Sequence, residues 1–548
     1  MSSDKRCWQR QDSKLLWIII TVGALMYLPA LGSTGILNTS DAYYTEAARE
    51  MLEKGDFITP YLNYKPYYFK PILTYWLIIA SYLTFGINTF AARLPSALGA
   101  IGSAVALFVL VLPFVGRRAA LMAGLSLLSM PLFTVVGHIA LTDMPLVLLT
   151  TITTLLLLRT LVFGWTKGLI PAYICLGLAF LSKGPLAVAV VGICIGGFLV
   201  VTSESFGDFK RRIFSLKPLL GIAIPLIVAL PWFVAEHIAS DGAFTKFFFI
   251  DQNFGRLSGK SKSHLSPIWF YAPYLLGGFI PWLPLLASAP AVFRPKTEKR
   301  FSKSPRAQIC IAAWCWLFGT LALLLVTSSK LGHYLLPIAP PIAILTGVLL
   351  DKVIRLGRRR FIFWLAPVMV IGCTVGLFVL PRLLAASPDL LTIVSIGVIA
   401  YILGYFAYGA LVYNSKIRTA TILLFVLCLS ASGIMVPIAL EHLFRKGNES
   451  LEYLIERTKL LDKDPSIGVL ANESPILAFY AKKNVFEFAG PSDCPQFLAT
   501  TKAPNFLILN DKYLQVFKLF FKDSLHVVEA KGKWNLVSLD EDKPTHSP

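Results

Sequence analysis

Apolar stretches of about 20 residues, each long enough to cross a bilayer, begin near Leu15 and recur to about Leu440, separated by short polar connections. The hydrocarbon core offers no water to backbone N–H and C=O groups, so a chain of this kind must satisfy them within each segment, as helices. About 13 such stretches can be counted, and the run from Pro71 to Phe85 is short enough to lie at the interface instead. Of the 548 residues, 55% are hydrophobic, which makes lipid the main solvent of the fold. The expected class is mainly α: a polytopic helical membrane protein with a small C-terminal α/β domain.

A formal charge of +20 would suit a nucleic-acid partner if the basic residues formed one patch. They follow topology instead. Lys5, Arg6, Arg10 and Lys14 precede the first apolar run, and Arg117 with Arg118, Lys167, and Lys210 to Arg212 with Lys217 occupy later connections of the same parity. Clusters from Arg294 to Arg306, from Lys352 to Arg360, and at Lys416 with Arg418 continue the alternation. By the positive-inside rule these connections are cytoplasmic, which places the N-terminus inside and the C-terminus outside. No nucleic acid is expected. The first apolar run lacks a small-x-small cleavage pattern before Asp41 and reads as an uncleaved helix. Six of the eight cysteines fall in apolar runs; Cys7 and Cys494 lie on opposite sides, so no disulfide framework is implied.

Two outside connections are long: residues 38–70, rich in acids, tyrosines and prolines, and residues 237–266, rich in aromatics. Within the first, Tyr44, Ala48 and Leu52 form one stripe and Asp41, Thr45 and Arg49 another, the spacing of a helix lying on the membrane surface. Residues 1–441 thus read as the membrane domain and 442–548 as a small α/β domain. In the latter, Ser466–Ala471, Asn484–Phe488, Asn505–Leu509 and His526–Val537 are extended runs separated by helical ones. There is no P-loop and no dinucleotide fingerprint. The acidic triplet Asp540 to Asp542 sits in the polar tail and reads as solvated.

Charged groups near the outer face are costly unless solvated, paired or functional. Asp41, Asp143, Lys183 and Lys330 all fall at outside ends of the runs. Asp41 can be a base, an orienting acid, a metal ligand, or simply a helix cap; Asp143, with Pro145 behind it, can equally cap the next helix. Lys183, Lys330 and Lys70 can each hold a phosphate or serve as interfacial anchors. Arg49, Arg256 and Tyr334 are further candidates for contacting a phosphorylated lipid. His264 joins Asp41 as a candidate for a divalent metal. His138 and His333 read as packed or solvated. Acids and cations gathered at one face describe a site for a phosphorylated lipid.

Those residues sit in motifs that together resemble the bacterial membrane glycosyltransferases of the GT-C class, particularly the lipid A aminoarabinose transferase and protein O-mannosyltransferase-like group. The carriers are S-D-A-Y-Y-T-E-A-A-R-E-M from Ser40, G-D-F-I-T-P-Y-L-N from Gly55 and F-K-P at Phe69. T-D-M-P around Asp143, S-K-G-P around Lys183 and S-S-K-L-G-H-Y-L-L-P around Lys330 complete the set. The resemblance implies about 13 spans in a bacterial inner membrane, with the C-terminal domain in the periplasm. It also implies an undecaprenyl-phosphate sugar as donor and a lipid A, glycan or protein acceptor. It makes Asp41 and Asp143 the catalytic carboxylates, Asp41 as the general base toward a hydroxyl acceptor and Asp143 as the group that orients it or the acceptor, and it makes Lys70 and Lys330 the groups on the lipid phosphate. The chain departs from the aminoarabinose transferase pattern at Phe69, where that group has an acid, and near Gln252 and Asn253, where it has a metal-binding histidine. The other class compatible with these features is a transporter or flippase for a lipid-linked anion, which would need charges at the midplane.

Overall fold

The computed structural model describes residues 9–29, 31–33, 35–36, 39–254, 266–287, 289, 304–357, 360–373, 388–438, 451–458, 466–470, 474–488, 490–493, 496–497, 505–521 and 525–539. Among these residues, eight helices are long and apolar enough to span a membrane, or nine if one bent pair counts as a single span. The first part of the chain runs through α1 (Arg10–Tyr27), α2 (Thr39–Lys54), α3 (Leu73–Phe85) and α4 (Thr89–Val115). Next come α5 (Arg117–Leu128) and α6 (Pro131–Gly137), bent by 62° where Pro131 cannot continue the helix. They are followed by α7 (Asp143–Phe163), α8 (Leu169–Lys183) and α9 (Pro185–Thr202). The short α10 (Phe206–Ser215) and long α11 (Pro218–Ala239) lead to a wide π-type turn, Lys246–Phe254. The later helices are α12 (Pro305–Val326), α13 (Ala339–Leu356), α14 (Pro388–Tyr413) and α15 (Ile417–Ser430).

α13 is the buried centre of the bundle, whereas α11 is apolar yet largely exposed, as a lipid-facing helix must be. The basic groups and the candidate site residues fall at opposite ends of α4: Arg93 lies near its N-terminus, and Arg117 follows its C-terminus across Gly116. At the basic end, Asp351 of α13 is fully buried and receives Arg306 at 2.7 Å, Arg355 at 2.9 Å and Arg118 at 3.7 Å. Asp12 of α1 similarly holds Arg117 at 2.5 Å.

At the other end α2 forms where the stripe spacing predicts a helix, but it is not spread on lipid. It is buried on both sides. Tyr44 packs on Tyr75 of α3 and the Thr45 carbonyl accepts the Tyr82 hydroxyl at 3.1 Å. From the other side, Ala42 shares an apolar cluster with Leu454, Leu477 and Ile508 of the C-terminal region. The membrane-surface expectation fails because the sequence pattern shows an amphipathic helix without showing that a second protein layer covers it.

That layer is a five-stranded sheet, numbered after the small hairpin β1 (Tyr61–Leu62) and β2 (Lys65–Pro66). β3 (Ser466–Leu470), β4 (Phe486–Phe488) and β5 (Asn505–Asn510) are parallel; β6 (Leu525–Lys531) and β7 (Trp534–Leu539) are antiparallel, in the order β4-β3-β5-β7-β6. α16 (Ser474–Ala481) and α17 (Asp511–Phe521) connect the strands. The single run expected over His526–Val537 is in fact a hairpin, turned at Gly532 with φ +61°. The outlying Asp540 to Asp542 and the cysteines Cys7 and Cys494 lie outside the described residues.

The β1–β2 hairpin ties the two layers together. Asn63 and Tyr64 both have positive φ, 52° and 61°, the turn that matches strand twist and that Asn tolerates well. The Asn63 side chain then grips Val485 from both sides: Nδ2 donates to its carbonyl at 2.8 Å and Oδ1 accepts its N–H at 3.0 Å. The Ile36 N–H donates to the Tyr480 hydroxyl at 2.9 Å, a second tie. Replacing Asn63 with Ala removes two buried hydrogen bonds worth about 1 kcal/mol each. The expected outcome is faster hydrogen exchange across β4 with the bundle unchanged; unaltered exchange at β4 would refute the clamp.

Candidate functional site

The site is built from a buried ion pair outward. Asn88 caps α4, its Oδ1 accepting the Ala91 N–H at 2.8 Å, and one turn on Arg93 is 1% exposed. Its guanidinium donates to Asp41 Oδ2 from Nη2 at 2.6 Å and Nε at 3.2 Å, and to the carbonyls of Leu31 and Gly35 at 3.1 and 2.6 Å. The other oxygen of Asp41 accepts the Ala140 N–H at 2.9 Å. Asp41 therefore holds the turn that leads into α7. Two hydroxyls secure the same turn: Ser96 Oγ accepts the Leu141 N–H at 3.4 Å, and Ser182 Oγ donates to the Thr142 carbonyl at 2.8 Å.

The held turn delivers Asp143, the first residue of α7, and Ser182 brings along Lys183, the last residue of α8. Lys183 Nζ meets Asp143 Oδ1 at 2.6 Å, and both side chains are nearly inaccessible. Gly184 makes this possible. With φ +70° and ψ −142° it takes a backbone shape favoured by glycine, ending α8, and a Cβ there would lie 2.7 Å from the Phe248 ring. Pro185 then starts α9 at its first position.

Asp143 and Lys183 line a cavity of about 540 Å³ with Lys70, His333, Tyr334 and Gln252. His333 Nε2 stands 4.0 Å from Asp143 Oδ2, and the Lys183 ammonium lies 4.6 Å from the centre of the Tyr334 ring. Phe69 lines the wall, packed between Tyr67 and Phe247 at centroid distances of 4.8 and 4.9 Å. The far side comes from the C-terminal layer: Ser474, Pro475 and Glu487.

The structure thus brings Lys70, Asp143, Lys183 and Tyr334 together and leaves other expected residues outside the cavity lining. Asp41 is fully buried beneath Ser40, engaged by Arg93 and Ala140. Arg49, on the same stripe of α2 and expected to contact the phosphorylated lipid, turns instead to Glu46, at 2.8 and 2.7 Å, and to Glu53 at 2.5 Å, and does not line the cavity. Lys330 is buried with Nζ donating to the Thr327 carbonyl at 2.5 Å. Arg256 and His264 lie outside the described residues. Among the described residues no three acidic, histidine or cysteine side chains gather as metal ligands, and the Asp41 oxygens already carry an N–H and a guanidinium. His138 packs, stacked on Tyr27 with its Nδ1 at 2.8 Å from the Thr134 carbonyl. Two contributors escaped the sequence reading. Arg93 was legible as a lone charge in an apolar helix, but Glu487 carries no motif.

Below the hairpin, α2 holds a second charged group. Burial raises the Glu46 carboxyl, against the pull of Arg49. Burial, reinforced by the charge of Glu46, pushes Glu50 up to about 8, while its Oε2 accepts the Tyr64 N–H at 2.6 Å. These groups hold the base of the hairpin.

Residues 69–234 match the family model described as dolichyl-phosphate-mannose-protein mannosyltransferase. The undecaprenyl phosphate-alpha-4-amino-4-deoxy-L-arabinose arabinosyl transferase 2 of Proteus mirabilis is 32% identical over 326 residues, covering 59% of this chain and 56% of that protein. The corresponding transferase of Photorhabdus laumondii is 29% identical over 369 residues, covering 66% and 63%. The chain therefore matches less than two thirds of the length of these relatives. The crystal structure of ArnT from Cupriavidus metallidurans bound to undecaprenyl phosphate superposes with a TM-score of 0.79 at 20% identity, covering 97% of this chain and 99% of that one. The protein has that fold, a GT-C-like helical membrane bundle with a small C-terminal sheet, and it resembles the aminoarabinose transferases in sequence.

Two outcomes follow from these charges. Arg93→Met leaves Asp41 buried without its cation, which costs roughly 3–5 kcal/mol; a large fall in the thermal midpoint is expected, and an unchanged midpoint would show that the pair does not hold this end of the bundle. The Glu50 carboxyl binds its proton more tightly in the folded state. Its contribution is complete below the ordinary value of 4.5 and is lost as pH rises through about 8. Glu50→Gln should therefore flatten the decline in thermal midpoint across that window; an unchanged slope would contradict the assignment.

Proposed function

We propose that this protein is an integral membrane glycosyltransferase that moves an amino sugar from undecaprenyl phosphate to lipid A or a related periplasmic acceptor. The observation that supports it is the cavity in which Lys70 and the Asp143–Lys183 pair meet at one end of the bundle. The arabinosyl transferases of Proteus and Photorhabdus point to the donor sugar, and the Cupriavidus structure, with undecaprenyl phosphate bound, points to the carrier. In this reading residues 1–441 are the transferase domain of a bacterial inner-membrane protein. Its N-terminus and basic clusters are cytoplasmic, and residues 442–548 are periplasmic.

In the reaction the acceptor oxygen attacks the anomeric carbon, the bond from that carbon to the phosphate oxygen breaks, and polyprenyl phosphate departs with the bonding electrons. Lys70 and Lys183 stabilise the charge on the departing phosphate, in a site partly walled by the rings of Tyr67, Phe69, Phe247 and Tyr334. Arrival of the phosphate gives Lys183 a second anionic partner, and Asp143 keeps its ammonium oriented. With a hydroxyl acceptor Asp143 is the carboxylate placed to take the proton; with a phosphate acceptor, already anionic, no base is required. Asp41 acts through the turn it holds. Lys330, on the Thr327 carbonyl, supports the loop carrying His333 and Tyr334.

Purified protein with radiolabelled undecaprenyl-phosphate amino-pentose and lipid A tests this. Lys70→Met should lower kcat/KM by about 100-fold with unchanged yield of folded protein; wild-type levels of transfer would exclude Lys70, and no transfer by the unaltered protein would exclude the reaction.

A further inference from the structure

The cavity is polarised, and its second pole comes from the C-terminal layer. Strand β4 is short, and side chains alternate across it. Phe486 and Phe488 pack with Phe497 in the core of the sheet, at centroid distances of 5.2 and 5.4 Å. Glu487, between them, must therefore face the other way, and it lines the cavity. Its position is not left to chance. The strand is held by the Asn63 grip on Val485, two residues earlier, and Glu487 Oε1 accepts the Ser474 hydroxyl at 2.7 Å.

Among the described cavity-lining residues, the carboxylates are Asp143 and Glu487. Asp143 is neutralised at 2.6 Å by a buried ammonium. The cation facing Glu487 among the described residues is Lys65, at 3.7 Å from its other oxygen, and that lysine is 74% exposed, an arrangement that contributes little. A ligand with an anionic phosphate at Lys70 and Lys183 and a cationic group elsewhere fits this charge pattern.

We infer that Glu487, positioned by Ser474, receives the protonated amino group of the transferred sugar, so that the C-terminal domain selects amino-sugar donors over neutral ones. The inference rests on the glycosyl-transfer reading and adds the substrate feature that one residue recognises. A charge-assisted hydrogen bond in a partly exposed site corresponds to about tenfold in affinity.

The test compares two undecaprenyl-phosphate donors, an amino-pentose and its N-acetylated, uncharged counterpart, with lipid A as acceptor. In Glu487→Gln the ratio of kcat/KM for the amino donor over the acetylated donor should fall about tenfold, through KM, and Glu487→Asp should restore part of it. The Gln side chain keeps an acceptor for Ser474, so a docking role alone would change both donors alike and leave the ratio intact. An unchanged ratio overturns the inference while transfer itself stands. If the unaltered protein transfers from neither donor, the glycosyl-transfer reading fails and the inference falls with it.

Discussion

A single buried ion pair, Arg93 with Asp41, carries the geometry of this molecule's upper end. Neither charge could remain there alone: burying an unpaired ion costs several kcal/mol, and here the pair is completed by two carbonyls and one amide N–H. A pair of this kind is not chiefly a source of stability, since well-packed apolar residues can replace one without loss. Its value lies in where it points. It joins the segment after α1, the start of α2, the start of α4 and the turn before α7, and that turn sets Asp143.

The second consequence is a division of labour between acids. Asp41 is covered and engaged by Arg93 and the Ala140 N–H, so it governs position; Asp143 reaches the cavity with a cation at 2.6 Å, which is why the proposed reaction gives it the contact with the ligand. Lys183 can form that contact because Gly184 ends α8 abruptly and lets the Phe248 ring close over the backbone. The S-K-G-P sequence is thus a lysine, a break and a restart. The cavity above is closed by Glu487 and Ser474, whose strand is fixed by Asn63. A helical bundle supplies the cations, and a separate sheet supplies an opposing carboxylate.

Much of this was legible in the sequence. Apolar runs and alternating basic connections pointed to the membrane class, and the motifs around Lys70, Asp143, Lys183 and Tyr334 marked residues that do meet. The rest depended on what only three dimensions supply. Helical spacing showed that Asp41 and Arg49 share a face of α2, but i, i+3 and i, i+4 acids at Glu46 and Glu53 captured Arg49. Asp41 found its partner 52 residues away. Lys330 looked like Lys183, a lysine at the outer end of a helix; a carbonyl three residues before it takes its ammonium instead. Glu487 lay in an ordinary strand, and only the docking of the sheet on α2 gives it a place in the site.

The central claim is that this cavity breaks the bond between a sugar and its polyprenyl phosphate. The most direct measurement counts both products in sealed liposomes that carry the lipid-linked sugar and the acceptor: free polyprenyl phosphate and glycosylated acceptor. The account predicts that they appear together, one for one. Lipid-linked sugar that reaches the opposite leaflet intact, with no free carrier, would contradict it and identify a transporter.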